Sequence, residues 1–169
     1  MIYYFSGDLP KGTDEHAFTR AILKALLKDA GITDLRIIKD ERQKPYLASR
    51  EACISLTHTA GFYAAAVSKR NIGIDAESEN RDIPESVFKR ICAAHELKSL
   101  ENPVEAYTKK EAEAKYSGEG LAWLLKKEHL KGAEFTVLHL DGYVLSVCEK
   151  RRQLHKLKRI TLTELDEFI

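Results

Sequence analysis

Cysteine is scarce and poorly placed for cross-linking. Cys53, Cys92 and Cys148 are odd in number, far apart and in no CxxC pair, so neither a disulfide framework nor a zinc site is expected. Charge of one sign is lacking too: the 27 Lys+Arg and 26 Asp+Glu of 169 residues leave +1, which gives no global attraction to nucleic acid or to an anionic membrane. No stretch approaches about 18 consecutive apolar residues, so no transmembrane helix is expected. The start, Met1 to Gly7, has neither the basic nor the apolar region of a signal peptide, and the cytoplasm is the default compartment. A P-loop, a G-x-G-x-x-G turn and a G-x-S-x-G elbow are all absent, which removes the common nucleotide-binding and serine-hydrolase patterns. What is present is a globular composition, 44% hydrophobic, in a length that suits one compact domain.

Apolar periodicity divides the chain. Met1 to Phe5 reads as a strand. Phe18, Ile22, Leu23, Leu26 and Leu27 recur at spacings of three and four ahead of Gly31, which predicts a helix over 14–30. A short strand is expected at Asp34 to Ile38, followed by a charged loop through Lys39 to Tyr46. Further strands are expected at Cys53 to Thr57, Phe62 to Ser68 and Ile72 to Glu77, then helices at Glu85 to Ala94, Ala94 to Leu100, Val104 to Tyr116 and Leu121 to Lys127. Phe135 to Leu140 and Tyr143 to Cys148 flank Asp141-Gly142, the dipeptide of a type I′ hairpin. The order of elements doubles roughly, with strand, helix and strands in the first 70 residues and strand, helices and a hairpin in the next 80. One basic run stands out, 150–159, and such runs are usually solvated faces.

Three constellations could carry chemistry. In Gly73-Ile-Asp-Ala-Glu77, residues two apart share a strand face, so Asp75 and Glu77 project together. Such a pair either ends in solvent, which is commoner when it is taken alone, or holds a cation, as carboxylates with substrate phosphates hold magnesium. In Tyr107-Thr-Lys-Lys-Glu-Ala-Glu-Ala-Lys115, Glu111 and Lys115 are four apart on a helix, in the favourable order for an ion pair. The small Ala112 and Ala114 let that helix lie close to a neighbour; spacing alone favours a charged surface helix. In Ile54-Ser-Leu-Thr-His-Thr-Ala-Gly61, the hydroxyls, imidazole and glycine at a strand end could form a phosphate cradle, although a lone histidine is more often a structural partner.

Taken in order, these motifs resemble the signature of the Sfp-type 4′-phosphopantetheinyl transferases. Lys44-Pro45 is similar to that family's basic-Pro motif, and Ile-Ser-Leu-Thr-His-Thr to its hydrophobic-N/S-hydrophobic-S-H-S element. Gly73-Ile-Asp-Ala-Glu77 resembles G-I-D-x-E, and Tyr107 to Lys115 resembles W-x-x-K-E-A/S-x-x-K. Gly142-Tyr-Val-Leu-Ser-Val-Cys148 is similar to the closing strand. The chain departs from the pattern in having Tyr107 for Trp, Thr57 for Ser and Ala76 for Ile or Val. The part ahead of Lys44 is shorter than in typical members and lacks their basic stretch for the coenzyme A 3′-phosphate, leaving His16, Arg20, Lys24 and Arg42 as alternatives.

The resemblance implies an α+β fold of two similar lobes related by a pseudo-twofold axis, with the active site between them. The single domain 1–169 would comprise an N-lobe of about 1–70, a C-lobe of about 71–150 and an extension over 151–169. It implies a monomer, since the trimeric holo-acyl-carrier-protein synthases build the cleft between subunits. The implied reaction moves phosphopantetheine from coenzyme A to a serine of an apo acyl, polyketide or peptidyl carrier protein, releasing adenosine 3′,5′-bisphosphate. Asp75, Glu77 and Glu111 would hold Mg2+, and Asp75, Glu111 and Lys115 would be catalytic, with Glu111 or a metal-bound water as base. Lys44, Pro45, Thr57, His58, Thr59, Lys110 and Lys115 would bind coenzyme A, with Lys110 beside the pantetheine phosphate. Lys110-Glu-Ala112 resembles the subgroup hinting at fatty-acid or polyketide carriers. The competing readings are a non-catalytic relative that binds coenzyme A or a carrier protein, and nucleic-acid binding through 150–159; neither a membrane nor a nucleic acid is the expected partner.

Overall fold

The computed structural model describes residues 1–93, 96, 102–120 and 128–168. Its elements are β1 (Ile2–Ser6), α1 (Glu15–Asp29), β2 (Ile37–Lys39), β3 (Pro45–Leu47), β4 (Cys53–Thr59), β5 (Phe62–Ser68), β6 (Gly73–Ser78), α2 (Glu85–Ile91), α3 (Pro103–Ser117), β7 (Glu134–Leu140), β8 (Tyr143–Glu149) and β9 (Leu157–Arg159), with a 3-10 turn at Thr163–Leu165. This is a mixed α+β architecture. Strands order as β4-β5-β1-β9 in one sheet, β6-β8-β7 in a second, and β2-β3 in a small hairpin.

Local chemistry accounts for the main elements. Asp14 caps α1 by accepting from the backbone N–H of His16 and Ala17, and Asn102 caps α3 in the same way from Val104 and Glu105, satisfying donors that a helix start leaves orphaned. Gly118 ends α3 in the left-handed conformation at φ 76°. The apolar stripe of α1 buries Phe18, Ile22, Leu23, Leu26 and Leu27 on one face of the four-stranded sheet. The opposite face of that sheet meets the three-stranded sheet across Ile2, Tyr4, Phe62, Ile74, Leu145 and Val147. Ala64 and Ala66 of β5 are fully buried there, and their small side chains let the two layers approach. The far face of the second sheet receives α3.

Several expectations shift by a few residues, and some by more. The strand read at Asp34 to Ile38 is Ile37–Lys39, and the expected loop over 39–46 ends in β3, which pairs antiparallel with β2. The helices expected at Ala94 to Leu100 and Leu121 to Lys127 lie outside the described residues, apart from Glu96. Within the basic run, Leu157–Arg159 form a strand that pairs parallel with β1. Residues 157–168 thus return to the first sheet, where Ile160 and Leu165 join the core under α1. No described helix is long and apolar enough to cross a membrane.

Candidate active site

β6 is an edge strand, and an edge strand presents backbone N–H groups that need partners. Alternation on β4 supplies them. Ser55 Oγ accepts from Ile74 N at 3.0 Å, and Thr57 Oγ1 accepts from Ala76 N at 3.2 Å. The hydroxyls also reach the acids: Thr57 Oγ1 donates to Asp75 Oδ1 at 3.0 Å and Thr59 Oγ1 donates to Glu77 Oε2 at 3.0 Å. Three hydroxyls two residues apart therefore tie the two sheets together and fix the orientation of both carboxylates.

The helix completes the site because residue 73 is glycine. A Cβ built there would stand 2.0 Å from the Ala112 carbonyl oxygen and 2.4 Å from Tyr116 N, so only glycine lets α3 settle this closely on β6. Gly73, Asp75 and Glu77 share one strand face, and the closeness at Gly73 brings the middle of α3 to the acids. Lys115 Nζ lies 2.7 Å from Asp75 Oδ1 and 3.1 Å from the Leu56 carbonyl, to both of which it donates. Tyr107 OH donates to Glu111 Oε1 at 3.0 Å, one turn along the helix. Arg81 pairs with Glu77 Oε1 and lies 5.1 Å from the centre of the Tyr107 ring.

Electrostatics follow from this crowding. Burial, and then the neighbouring Asp75 charge, push the Glu111 carboxyl above its ordinary range. Burial, followed by the Glu111 charge and the hydrogen bond to it, raises the Tyr107 phenol to about 12. Three carboxylates, Asp75, Glu77 and Glu111, beside two cations, Lys115 and Arg81, leave negative charge in excess. Hard oxygen donors in such a place match a small divalent cation, so the donor chemistry of Asp75, Glu77 and Glu111 fits magnesium. As they stand, no three His, Cys, Asp or Glu side chains among the described residues converge closely enough to hold one ion.

Beside the acids is a cavity of about 260 Å³, walled by Lys44, Pro45, Ile54 and Leu56 on one side and by Glu111 and Lys115 on the other. A larger one of about 740 Å³ shares Arg42, Lys44 and Pro45 with it and extends past Lys39, Tyr46 and Arg50 along the β2–β3 hairpin. Lys44 Nζ donates to Asn71 Oδ1 at 3.1 Å and to the Tyr116 carbonyl at 2.8 Å, and burial lowers its pKa. Arg42 pairs with Glu119, which links the hairpin to the end of α3. His58 sits two residues beyond Leu56 on β4. Its ring stacks on Tyr63 at 6.3 Å and meets His16 edge-on at 4.7 Å. Burial, followed by His16, lowers its pKa, so its 4.0 Å approach to Glu15 is not a strong ion pair near neutral pH.

The sequence-derived residues therefore separate into groups. Asp75, Glu77, Glu111 and Lys115 come together. Lys44 and Pro45 line the cavities, and His58 continues the β4 face that does so. The hydroxyls of Thr57 and Thr59 are engaged with the acids. Lys110 is elsewhere: its side chain is 1% exposed and pairs with Glu96 at 3.0 Å. Arg81 and Ser55 are the two residues the sequence reading passed over. Ser55 carried a signal, the hydroxyl alternation at 55, 57 and 59; Arg81 carried none, since it lies outside every motif and reaches Glu77 through a turn closed by Arg81 N donating to the Ser78 carbonyl at 3.0 Å.

No curated protein matches the chain significantly. A family model described as the 4′-phosphopantetheinyl transferase superfamily matches residues 71–164, a stretch that begins just before β6 and carries all three acids and Lys115. That stretch is more than half of the chain, and on this match the protein belongs to the 4′-phosphopantetheinyl transferase superfamily.

Proposed function

We propose that the protein is an Sfp-type enzyme that transfers the phosphopantetheine arm of coenzyme A to a serine hydroxyl of an apo acyl, polyketide or peptidyl carrier protein, with magnesium, and releases adenosine 3′,5′-bisphosphate. Superfamily membership carries the reaction class. The observation that favours an active enzyme is the state of the acids: Asp75 Oδ2 and Glu111 Oε2 accept no hydrogen bond from the described residues, while their other oxygens are fixed by Lys115, Thr57 and Tyr107. Carboxylates that served only as structural partners would have no reason to be oriented on one oxygen and open on the other.

In this reaction the serine oxygen forms a bond to the phosphorus that bears the pantetheine arm, the bond from that phosphorus to the bisphosphate oxygen breaks, and the serine proton goes to a base. Such transfers depend on positioning and on stabilising spread negative charge. Asp75, Glu77 and Glu111 would hold magnesium, which when bound supplies neutralisation of the pyrophosphate. Lys115 and Lys44 offer ammonium groups from the two walls of the smaller cavity, with Pro45 beside Lys44 and the His58 ring along the same β4 face. Glu111 is the assigned base, directly or through water, because its raised pKa strengthens it as a proton acceptor. Thr57 and Thr59 act by orienting the acids, and Lys110 is assigned to structure.

Both walls of the cavity are built from this chain's own residues, which supports a monomer working as a single domain, with residues 157–168 completing the N-lobe; its proposed compartment is the cytoplasm. The test is to incubate the protein with coenzyme A, magnesium and a panel of apo carrier proteins and to weigh each. Addition of one phosphopantetheine to any of them is the expected result. Coenzyme A binding without addition to any carrier would instead identify a non-catalytic relative.

A further inference from the structure

Among the described residues, Glu77 differs from the other two acids in having a partner on each carboxylate oxygen. Thr59 Oγ1 donates to Oε2, and Arg81 holds Oε1. The arginine is itself held: the turn after β6 brings it back over the strand, and its guanidinium lies 5.1 Å from the Tyr107 ring centre, a cation–π distance. Its side chain is 43% exposed against 12% for Glu77, so the cation has somewhere to go and the acid does not. Asp75 is paired differently. Lys115 and Thr57 share its Oδ1 and leave Oδ2 open, so a ligand can reach Asp75 without displacing its lysine.

We propose that Arg81 is a tethered counter-ion that occupies Glu77 in the metal-free protein and competes with the divalent cation for it. The inference rests on the reading of Asp75, Glu77 and Glu111 as the metal-holding acids. Asp75 and Glu111 then offer the ion its first oxygens, and Glu77 joins only when Arg81 leaves. Arg81 thereby sets the affinity for the cation, and it spares the empty site an uncompensated buried carboxylate. Arg81 is a positioning residue here: it acts through Glu77 and touches no reacting atom.

The experiment is a calorimetric titration of the whole chain with Mn2+, without coenzyme A, for the parent, Arg81→Gln, Arg81→Lys, Glu77→Gln and the Glu77→Gln/Arg81→Gln double variant. Mn2+ serves as the probe because it shares magnesium's preference for oxygen ligands. Arg81→Gln is expected to bind Mn2+ about threefold to tenfold more tightly, the range that one partly exposed ion pair gives. Arg81→Lys should stay close to the parent, and Arg81→Gln should bring no gain when Glu77 is already Gln. Equal affinity of parent and Arg81→Gln would overturn the proposal, as would an equal gain in the Glu77→Gln background, and either result would leave the metal reading standing. Absence of Mn2+ binding in every variant would overturn the metal reading and the proposal together.

Discussion

Helix α3 carries two acid–lysine sets on different faces, and they have opposite fates. Lys110 and Glu113 are 1% and 0% exposed. Glu113 Oε2 meets His129 Nδ1 at 2.7 Å, its other oxygen accepts from Leu130 N, and Lys110 pairs with Glu96. Glu111 and Lys115 line an open cavity instead, and among the described residues only one oxygen of the carboxylate has a hydrogen-bond donor. Both oxygens of Glu113 are satisfied from within the fold, so its set holds the 128–130 segment against the helix. Glu111 of the other set faces the Asp75 charge instead, with only one oxygen engaged by the described residues. Residue type alone does not distinguish the two; what does is whether the second oxygen is taken.

The largest expected effect tests the buried side of this contrast. Glu113→Ala leaves His129 and the Leu130 N–H without their buried acceptor and should destabilise the fold by about 3 to 5 kcal/mol, read by urea unfolding, while transfer per folded molecule persists. Asp75→Asn is the mirror case. Transfer should fall by about a hundredfold to a thousandfold, read by carrier mass, with the metal-free melting temperature maintained. If instead Asp75→Asn unfolds the protein and Glu113→Ala abolishes transfer in folded molecules, the assignment of the two faces is reversed.

His58→Ala should weaken coenzyme A binding by about 1.5 to 3 kcal/mol, the worth of a charge-assisted hydrogen bond, measured by calorimetry; unchanged affinity would confine His58 to packing on Tyr63. Gly73→Ala tests how closely α3 must sit. Its Cβ meets backbone that cannot step aside, so a stability loss of about 1 to 3 kcal/mol is expected, together with slower transfer as Glu111 and Lys115 move from Asp75.

These outcomes also mark what the sequence could reveal. Period-two alternation fixed that Asp75 and Glu77 share a face, and the i, i+4 spacing fixed Glu111 beside Lys115. The hydroxyls of Thr57 and Thr59 flank His58 and read as phosphate donors, because nothing in a sequence says which strand lies opposite; Ser55 only extends the same alternation. Helical geometry did separate the two lysines: five residues at about 100° each put Lys110 roughly 140° from Lys115, whereas the motif treats them as one set. β9 was beyond reach, because three residues of a basic run pair in parallel with a strand more than 150 positions earlier, with no periodicity to announce it.

The smallest effect is a pH dependence on the open face. Because burial and Asp75 raise the Glu111 carboxyl above its ordinary 4.5, the folded chain binds that proton more tightly than the unfolded chain does. Its contribution is fully present below pH 4.5 and is lost as pH rises through the folded value. Glu111→Gln, which keeps the acceptor for Tyr107, should therefore melt higher than the parent near pH 7 without divalent cations. The two should converge toward pH 4. A constant difference across that window would mean that Glu111 carries no excess charge.

The most direct test of the central claim, that the open face of α3 and the acids of β6 transfer phosphopantetheine, weighs one apo carrier protein after incubation with coenzyme A, saturating magnesium and either the parent or Asp75→Asn. One added phosphopantetheine is expected with the parent and almost none with the folded variant. Equal addition by both would contradict it.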